Sequence, residues 1–270
     1  MAIAIITRTT VRLRNKLKRS LYWWDPVDGS INTGDFFSKV LVQKILETRN
    51  LKLADKKSKK NRLFAIGSVL HYAKTGDCIW GTGVNGNIAP SHHTFGMLDV
   101  RAVRGPLTRD FLISRSVPCP ERYGDPGILA PWIYPKRLFI GTSPHREYLV
   151  VPHLLGDPKA FEKHQNNLCK PTLAPVIFIR RVVNSSLVIS SSLHGIILAE
   201  SYGVPAIFLR AGHTEKAFKY DDYYLGTGRA DYPVAASVNE ALLMPAPRPP
   251  DFTDQQRSLF DAFPFDLWPE

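Results

Sequence analysis

Along this chain, short apolar runs alternate with stretches of helical period, the pattern of parallel sheets assembled from strand and crossover-helix units. In the first half, residues 63–66, 78–80 and 97–103 are predicted strands, and 36–47 and 106–114 predicted helices. The second helix opens on Gly105 and Pro106, which puts a proline at the first helical position, where its missing N–H costs nothing. The second half gives a strand at 148–151, a helix at 176–184, a strand at 187–190, a helix at 195–202 and a strand at 206–209. A stretch rich in proline and glycine, 123–144, separates the two series. It divides the chain into a domain at 1–144 and a second at 145–250. A proline-rich connector, 245–250, leads to a final predicted helix at 251–263, with Phe260 and Phe263 on one side, in a tail 251–270 expected to pack back on the first domain.

A length of 270 residues suits two such domains. The fold class is therefore α/β. With 44% apolar and 22% charged residues, the composition excludes a disordered chain. The longest apolar stretch, 195–209, is broken by Glu200, Gly203 and Pro205 and falls short of the ~20 residues that span a bilayer. At the start of the chain the charges follow the apolar residues, the reverse of a secretory signal, so a cytoplasmic location is expected. Cys78, Cys119 and Cys169 have no spacing that suggests a disulfide framework or zinc.

The net charge of +11 implies anionic partners. Lys56, Lys57, Lys59 and Lys60 read as a solvated surface loop. Arg12, Lys16 and Arg19 recur at helical spacing beside Leu13, Leu17 and Leu21, and Tyr22, Trp23 and Trp24 follow, as in a segment that contacts anionic membrane. No groove-reading or RNA-binding motif accompanies the charge, so no nucleic-acid partner is expected.

The strongest local signal for chemistry is Ser190-Ser191-Ser192-Leu193-His194-Gly195, set between an apolar strand and a helix. Loops at the carboxyl ends of strands face the ligand crevice of an open α/β sheet, and hydroxyls with the N–H groups of a helix start suit an anion. His194 adds a side chain able to move a proton near neutral pH. Two other motifs carry less. Gly81-Thr82-Gly83-Val84-Asn85-Gly86 has the spacing of a dinucleotide loop, but the residues after it do not read as a helix. His71, His92 and His93 lack a fourth ligand at metal spacing, and no metal is expected.

The run Ser191 to Ala206 resembles the signature of the polysaccharide pyruvyltransferases. Other motifs in the same order are similar to that family's: Asn32-Thr33-Gly34-Asp35, Ile79-Trp80-Gly81-Thr82-Gly83, Arg101-Ala102-Val103-Arg104-Gly105-Pro106-Leu107-Thr108-Arg109 and Tyr123-Gly124-Asp125-Pro126-Gly127. Val151-Pro152-His153, Phe218-Lys219-Tyr220-Asp221-Asp222-Tyr223-Tyr224 and the closing Phe263-Pro264-Phe265-Asp266-Leu267-Trp268 follow. The resemblance implies two Rossmann-like domains facing across a cleft, as in glycosyltransferases of B type. The acceptor would lie on the first domain and phosphoenolpyruvate mainly on the second. Ser192 and His153 stand where that family often has arginine.

The implied reaction moves the pyruvyl unit of phosphoenolpyruvate to a sugar of a cell-surface polysaccharide precursor, expected to be lipid-linked, and closes it as a ketal; phosphoenolpyruvate is a donor substrate and no cofactor is required. The candidate catalytic residues are His194, His153 and Asp35. The candidate binding residues are Asn32, Gly34, Gly83, Arg101, Arg104, Arg109, Asp125, Ser191, Ser192, Leu193, Gly195, Lys219 and Arg229. Structural ion pairs are an equal reading for Arg104 and Arg109, and turn bracing for Asp125. Two alternatives stay open: a nucleotide-sugar glycosyltransferase of the same fold, with Glu215 and Phe218 in its nucleotide pocket, and a non-catalytic sugar-binding relative.

Overall fold

The computed structural model describes residues 20–210 and 216–269. The basic stretch before Ser20, and Glu215, lie outside the described residues, and so does the membrane contact expected of that stretch.

Two parallel four-stranded sheets organise the described chain. The first holds β1 (Leu21–Tyr22), β2 (Leu63–Phe64), β3 (Cys78–Trp80) and β4 (Asp99–Ala102); the second holds β5 (Leu149–Val151), β6 (Val188–Ser190), β7 (Ala206–Leu209) and β8 (Val234–Ala235). A doubly wound sheet reverses its strand order at a switch point. Here the described strands of each sheet run in simple sequence order.

Parallel neighbours need crossovers. In chain order the helices are α1 (Thr33–Glu47), α2 (Pro106–Ile113), α3 (Ala130–Ile133), α4 (Pro175–Val183), α5 (Leu193–Ser201), α6 (Phe218–Gly226), α7 (Val238–Leu243) and α8 (Thr253–Asp261). Between β2, β3 and β4 the crossovers contain only single 3-10 turns, Leu70–Tyr72 and Pro90–His92, so irregular chain rather than helix lies along that side of the first sheet.

β2, β3, β5, β6 and β7 are buried along their whole length, as strands covered on both faces must be. α5 is buried at Leu193 and from Gly195 through Glu200, which leaves it almost no solvent face. One apolar core joins the two sheets: Leu21 and Leu63 of the first, with Trp23 just beyond β1, continue through Phe37, Leu41 and Ile45 of α1 and Ile196 of α5 to Val188 and Phe208 of the second. α8 closes the far side, where the Trp80 indole donates to the Leu259 carbonyl at 2.8 Å and meets Phe263 edge-on at 5.0 Å.

Two charge readings change. Trp23 is wholly buried and Tyr22 is a strand residue stacked on Phe64, so these aromatics belong to the first sheet and not to a membrane-facing segment. Lys56 is buried, donating to the carbonyls of Ser58 and Asn61, and Lys59 donates to the carbonyls of Ala54 and Lys56. These two lysines hold their loop together by bonding its carbonyls, while Lys57 and Lys60 stay exposed as the solvated run expected.

Candidate active site in the cleft between the sheets

The carboxyl ends of both sheets open on one cleft of about 370 Å³. From the first half come Trp24 beyond β1, Asn32 and Asp35 at the start of α1, Ser68 and His71 beyond β2, and Asn85 and Asn87 beyond β3. From the second come His153 beyond β5, Ser192, Leu193 and His194 beyond β6, and Lys219 from α6.

Asn32 caps α1, its Oδ1 accepting from the Gly34 N–H at 3.2 Å. Thr33 fastens that end to the second half, its N–H reaching the Pro171 carbonyl at 2.7 Å and its hydroxyl the Leu173 carbonyl at 2.6 Å. The next residue must be glycine: a Cβ on Gly34 would lie 2.0 Å from His194 Nδ1. The His194 ring therefore rests on the first turn of α1, against Gly34.

The Ser-rich turn after β6 is built from its own hydroxyls. Ser190 Oγ accepts from the Ser192 N–H and reaches the carbonyls of Val151 and Ser192, and Gly195 leaves no room for a Cβ against that oxygen. Ser191 Oγ accepts from the His153 N–H at 3.0 Å, which ties the ends of β5 and β6 together. The start of α5 thus points into the cleft with its dipole positive and Ser192 at its cap.

Burial sets the protonation states. Asp35 is pushed up to about 7, mainly by desolvation and further by the Asp125 carboxylate, against the opposing pull of Lys219. Asp125, fully buried, is raised to about 6 by desolvation although the Gly127 N–H donates to its Oδ1 at 2.8 Å. His194 is driven down to about 3 by desolvation, then by the positive fields of Lys219, Arg104 and His153. Its Nε2 is buried without a hydrogen-bond partner among the described residues. The cleft thus holds a histidine kept neutral and a carboxyl that keeps its proton well above the ordinary carboxylate range.

The arginines fare differently from the sequence expectation. Arg104 is wholly buried behind the cleft: its guanidinium bonds Asp222 at 2.9 Å, the Val84 carbonyl at 2.7 Å and Ser68 Oγ at 2.6 Å. Gly83 packs against that guanidinium, where a Cβ would come within 2.4 Å. Arg101 pairs with Asp99 and Asp266, Arg109 with Glu121 and Arg229 with Glu200, and none of the three lines the cleft. Phe218, one part of the nucleotide pocket considered above, packs on Gly86 and outside the cleft lining. Among the described residues Lys219 is the one lysine or arginine that lines it. The Gly81–Gly86 loop, whose reading as a glycine loop lining the cleft is the alternative to a dinucleotide loop, does reach it through Asn85, whereas Trp24, Ser68, His71, Tyr72 and Asn87 sit in irregular segments whose convergence no local pattern reveals.

Residues 36–213 match the model of the family described as polysaccharide pyruvyl transferase. The chain belongs to that family. An uncharacterized protein, L143, of Acanthamoeba polyphaga mimivirus is 25% identical over 205 residues, 72% of this chain and 70% of the viral one. Succinoglycan biosynthesis protein ExoV of Rhizobium meliloti (strain 1021) is 27% identical over 172 residues, covering 60% of this chain and 52% of ExoV. No solved structure matches. The pyruvyl transferase match takes in α1 from Phe36 onward, the cleft-lining ends of β5 and β6 and the Ser-Leu-His-Gly turn, while Asp35 and Lys219 lie just outside it.

Proposed function

We propose that this protein transfers the pyruvyl unit of phosphoenolpyruvate to two hydroxyls of a saccharide, forming a ketal and releasing phosphate, with its two sheets acting as facing domains like those of B-type glycosyltransferases. The observation that carries this reading is the meeting, in one cleft, of His194 and Lys219 with Asp35 at the positive end of α5. A small donor with two anionic groups is matched there by an ammonium, serine hydroxyls and a helix start. The acceptor is a lipid-linked precursor handled on the cytoplasmic side of the membrane; among the described residues no helix is long and apolar enough to cross one.

The protonation states divide the work. Asp35, raised to about 7, carries the proton that adds to the methylene carbon and leaves an oxocarbenium-like centre. Neutral His194 takes the proton of the first sugar hydroxyl as its oxygen bonds to that centre. Cleavage of the carbon–oxygen bond to phosphate regenerates the cation, and the second hydroxyl closes the ketal. Of the two hydroxyl protons, one replaces the proton given to the methyl group and the other leaves with phosphate. His153, on the turn beyond β5 that is tied to Ser191, lines the same cleft and is placed to contact the phosphate.

Calorimetric titration of phosphoenolpyruvate tests the donor. Saturable binding to the wild type, weakened about tenfold or more in His194→Ala as charge-assisted contacts are lost, is the expected result. Binding of a nucleotide sugar with none of phosphoenolpyruvate would overturn the reading in favour of glycosyl transfer.

A further inference from the structure

The lining of the cleft falls into two chemically distinct sets. One is Asp35, His194, Lys219 and the start of α5. The other is an aromatic wall of Trp24, His71 and Tyr72 together with the amides of Asn85 and Asn87, a set that contains no carboxylate or ammonium. The aromatic wall is a packed layer. Phe64 stacks on Tyr22 at 5.0 Å, Tyr22 meets Tyr72 at 5.1 Å, and the Tyr72 ring lies 4.1 Å from His71. Tyr72 still exposes 40% of its surface, and Trp24 is only partly buried. Burial holds His71 down to about 4, so its ring is neutral at physiological pH.

Each asparagine oxygen is engaged, Asn85 Oδ1 by the Asn87 N–H at 3.2 Å and Asn87 Oδ1 by the Lys216 N–H at 3.1 Å. These bonds fix the amide planes and leave the NH₂ groups as donors. A rigid, uncharged aromatic face bordered by neutral amide donors is what a pyranose ring fits: its C–H face packs on the rings and its hydroxyl edge bonds the amides. An anionic ligand finds no partner in that wall.

We infer that Trp24, Tyr72 and His71 form a stacking platform for a neutral pyranose of the acceptor, with Asn85 and Asn87 reading its hydroxyls. The platform sets which sugar face is turned toward the reacting end. Its assignment to the acceptor rests on the pyruvyl-transfer reading above; its chemistry rests on the wall alone.

Saturation-transfer difference NMR with methyl glucoside, galactoside and mannoside, each with and without phosphoenolpyruvate, tests it. At least one glycoside is expected to bind the wild type with transfer strongest at the C–H protons of one ring face. Trp24→Ala and Tyr72→Ala should weaken that sugar about tenfold and leave phosphoenolpyruvate affinity unchanged, while Trp24→Phe restores much of the binding. Tyr72 is exposed enough for its removal to leave the fold intact, which the thermal midpoint checks. No transfer to any of the three glycosides, or binding untouched by both alanine substitutions, overturns the platform, as does displacement of the bound glycoside by a nucleoside diphosphate with the base on these rings. A sugar held by the platform in a protein that ignores phosphoenolpyruvate would sink the pyruvyl-transfer reading and leave the platform standing.

Discussion

Asp222→Ala should cost the protein about 3–5 kcal/mol, the loss expected when one partner of a buried ion pair is removed and the other is left charged. Asp222 and Arg104 are both fully buried. The carboxylate also accepts from the Thr108 N–H at 2.9 Å and the Thr108 hydroxyl at 2.7 Å, so four polar groups depend on it. Gly105 lets the chains approach this closely, because a Cβ there would overlap the Asp222 carbonyl. The latch joins α6 to the first half, while Glu200, bonded by the Tyr223 hydroxyl and by Arg229 at 2.7 Å, joins it to α5. Lys219 sits three residues before Asp222 on the same helix, so loosening the latch misplaces the cleft's cation as well. Denaturant unfolding and phosphoenolpyruvate titration, run together, should show both losses, with Asp222→Asn retaining the shape and part of each. A change under about 1 kcal/mol with unaltered donor affinity would show that the latch neither stabilises nor positions.

Asp35→Asn is expected to gain stability as pH rises, by a few kcal/mol relative to the wild type at neutral pH. The sign follows from the shift. In the unfolded chain an aspartate ionises near its ordinary value, whereas Asp35 holds its proton to about pH 7 when folded. Between those limits the folded state binds the extra proton, so stability falls with rising pH through that window and levels off above it. Asparagine has no such penalty. His194 acts in the opposite sense: held down to about 3, it contributes stability that is lost as pH drops below the ordinary histidine range toward that value. The wild-type profile blends these slopes, and subtraction of the Asp35→Asn profile isolates the first. Unfolding free energies at stepped pH measure it directly. A difference that stays flat from pH 4 to 8 would show that Asp35 ionises normally. Stabilisation should coincide with loss of turnover, because the neutral carboxyl that burdens the fold is the one proposed to deliver the proton.

The expectations that survived contact with the structure were those encoded locally. The strands at Cys78–Trp80 and Ala206–Leu209 lie where their apolar runs placed them, and the helix opening at Pro106 begins on its proline. β1 and β8, of two residues each, are too short for any period to register. The Ser-Leu-His turn was legible because strand, turn and helix are contiguous. The arginines were not: Arg101 finds Asp266 165 residues away and Arg104 finds Asp222 118 residues away, so charge alone reads equally as ligand or latch. The aromatic wall was hidden for the same reason, since Trp24 and Tyr72 come together only when β1 and β2 pair. Tyr22, Trp23 and Trp24, adjacent in sequence, serve a stacked layer, a core and a cleft, a division that only the alternating sides of the chain explain.

The most direct measurement of the central claim is to incubate the protein with phosphoenolpyruvate and a panel of hexose-containing oligosaccharides with free vicinal and 4,6-hydroxyl pairs, following phosphate release and saccharide mass together. The expected result is one phosphate released for each saccharide that gains a pyruvate less one water, with both signals lost in His194→Ala. Phosphate release without any gain in saccharide mass, or a hexose gained from a nucleotide sugar while phosphoenolpyruvate is untouched, would contradict pyruvyl transfer.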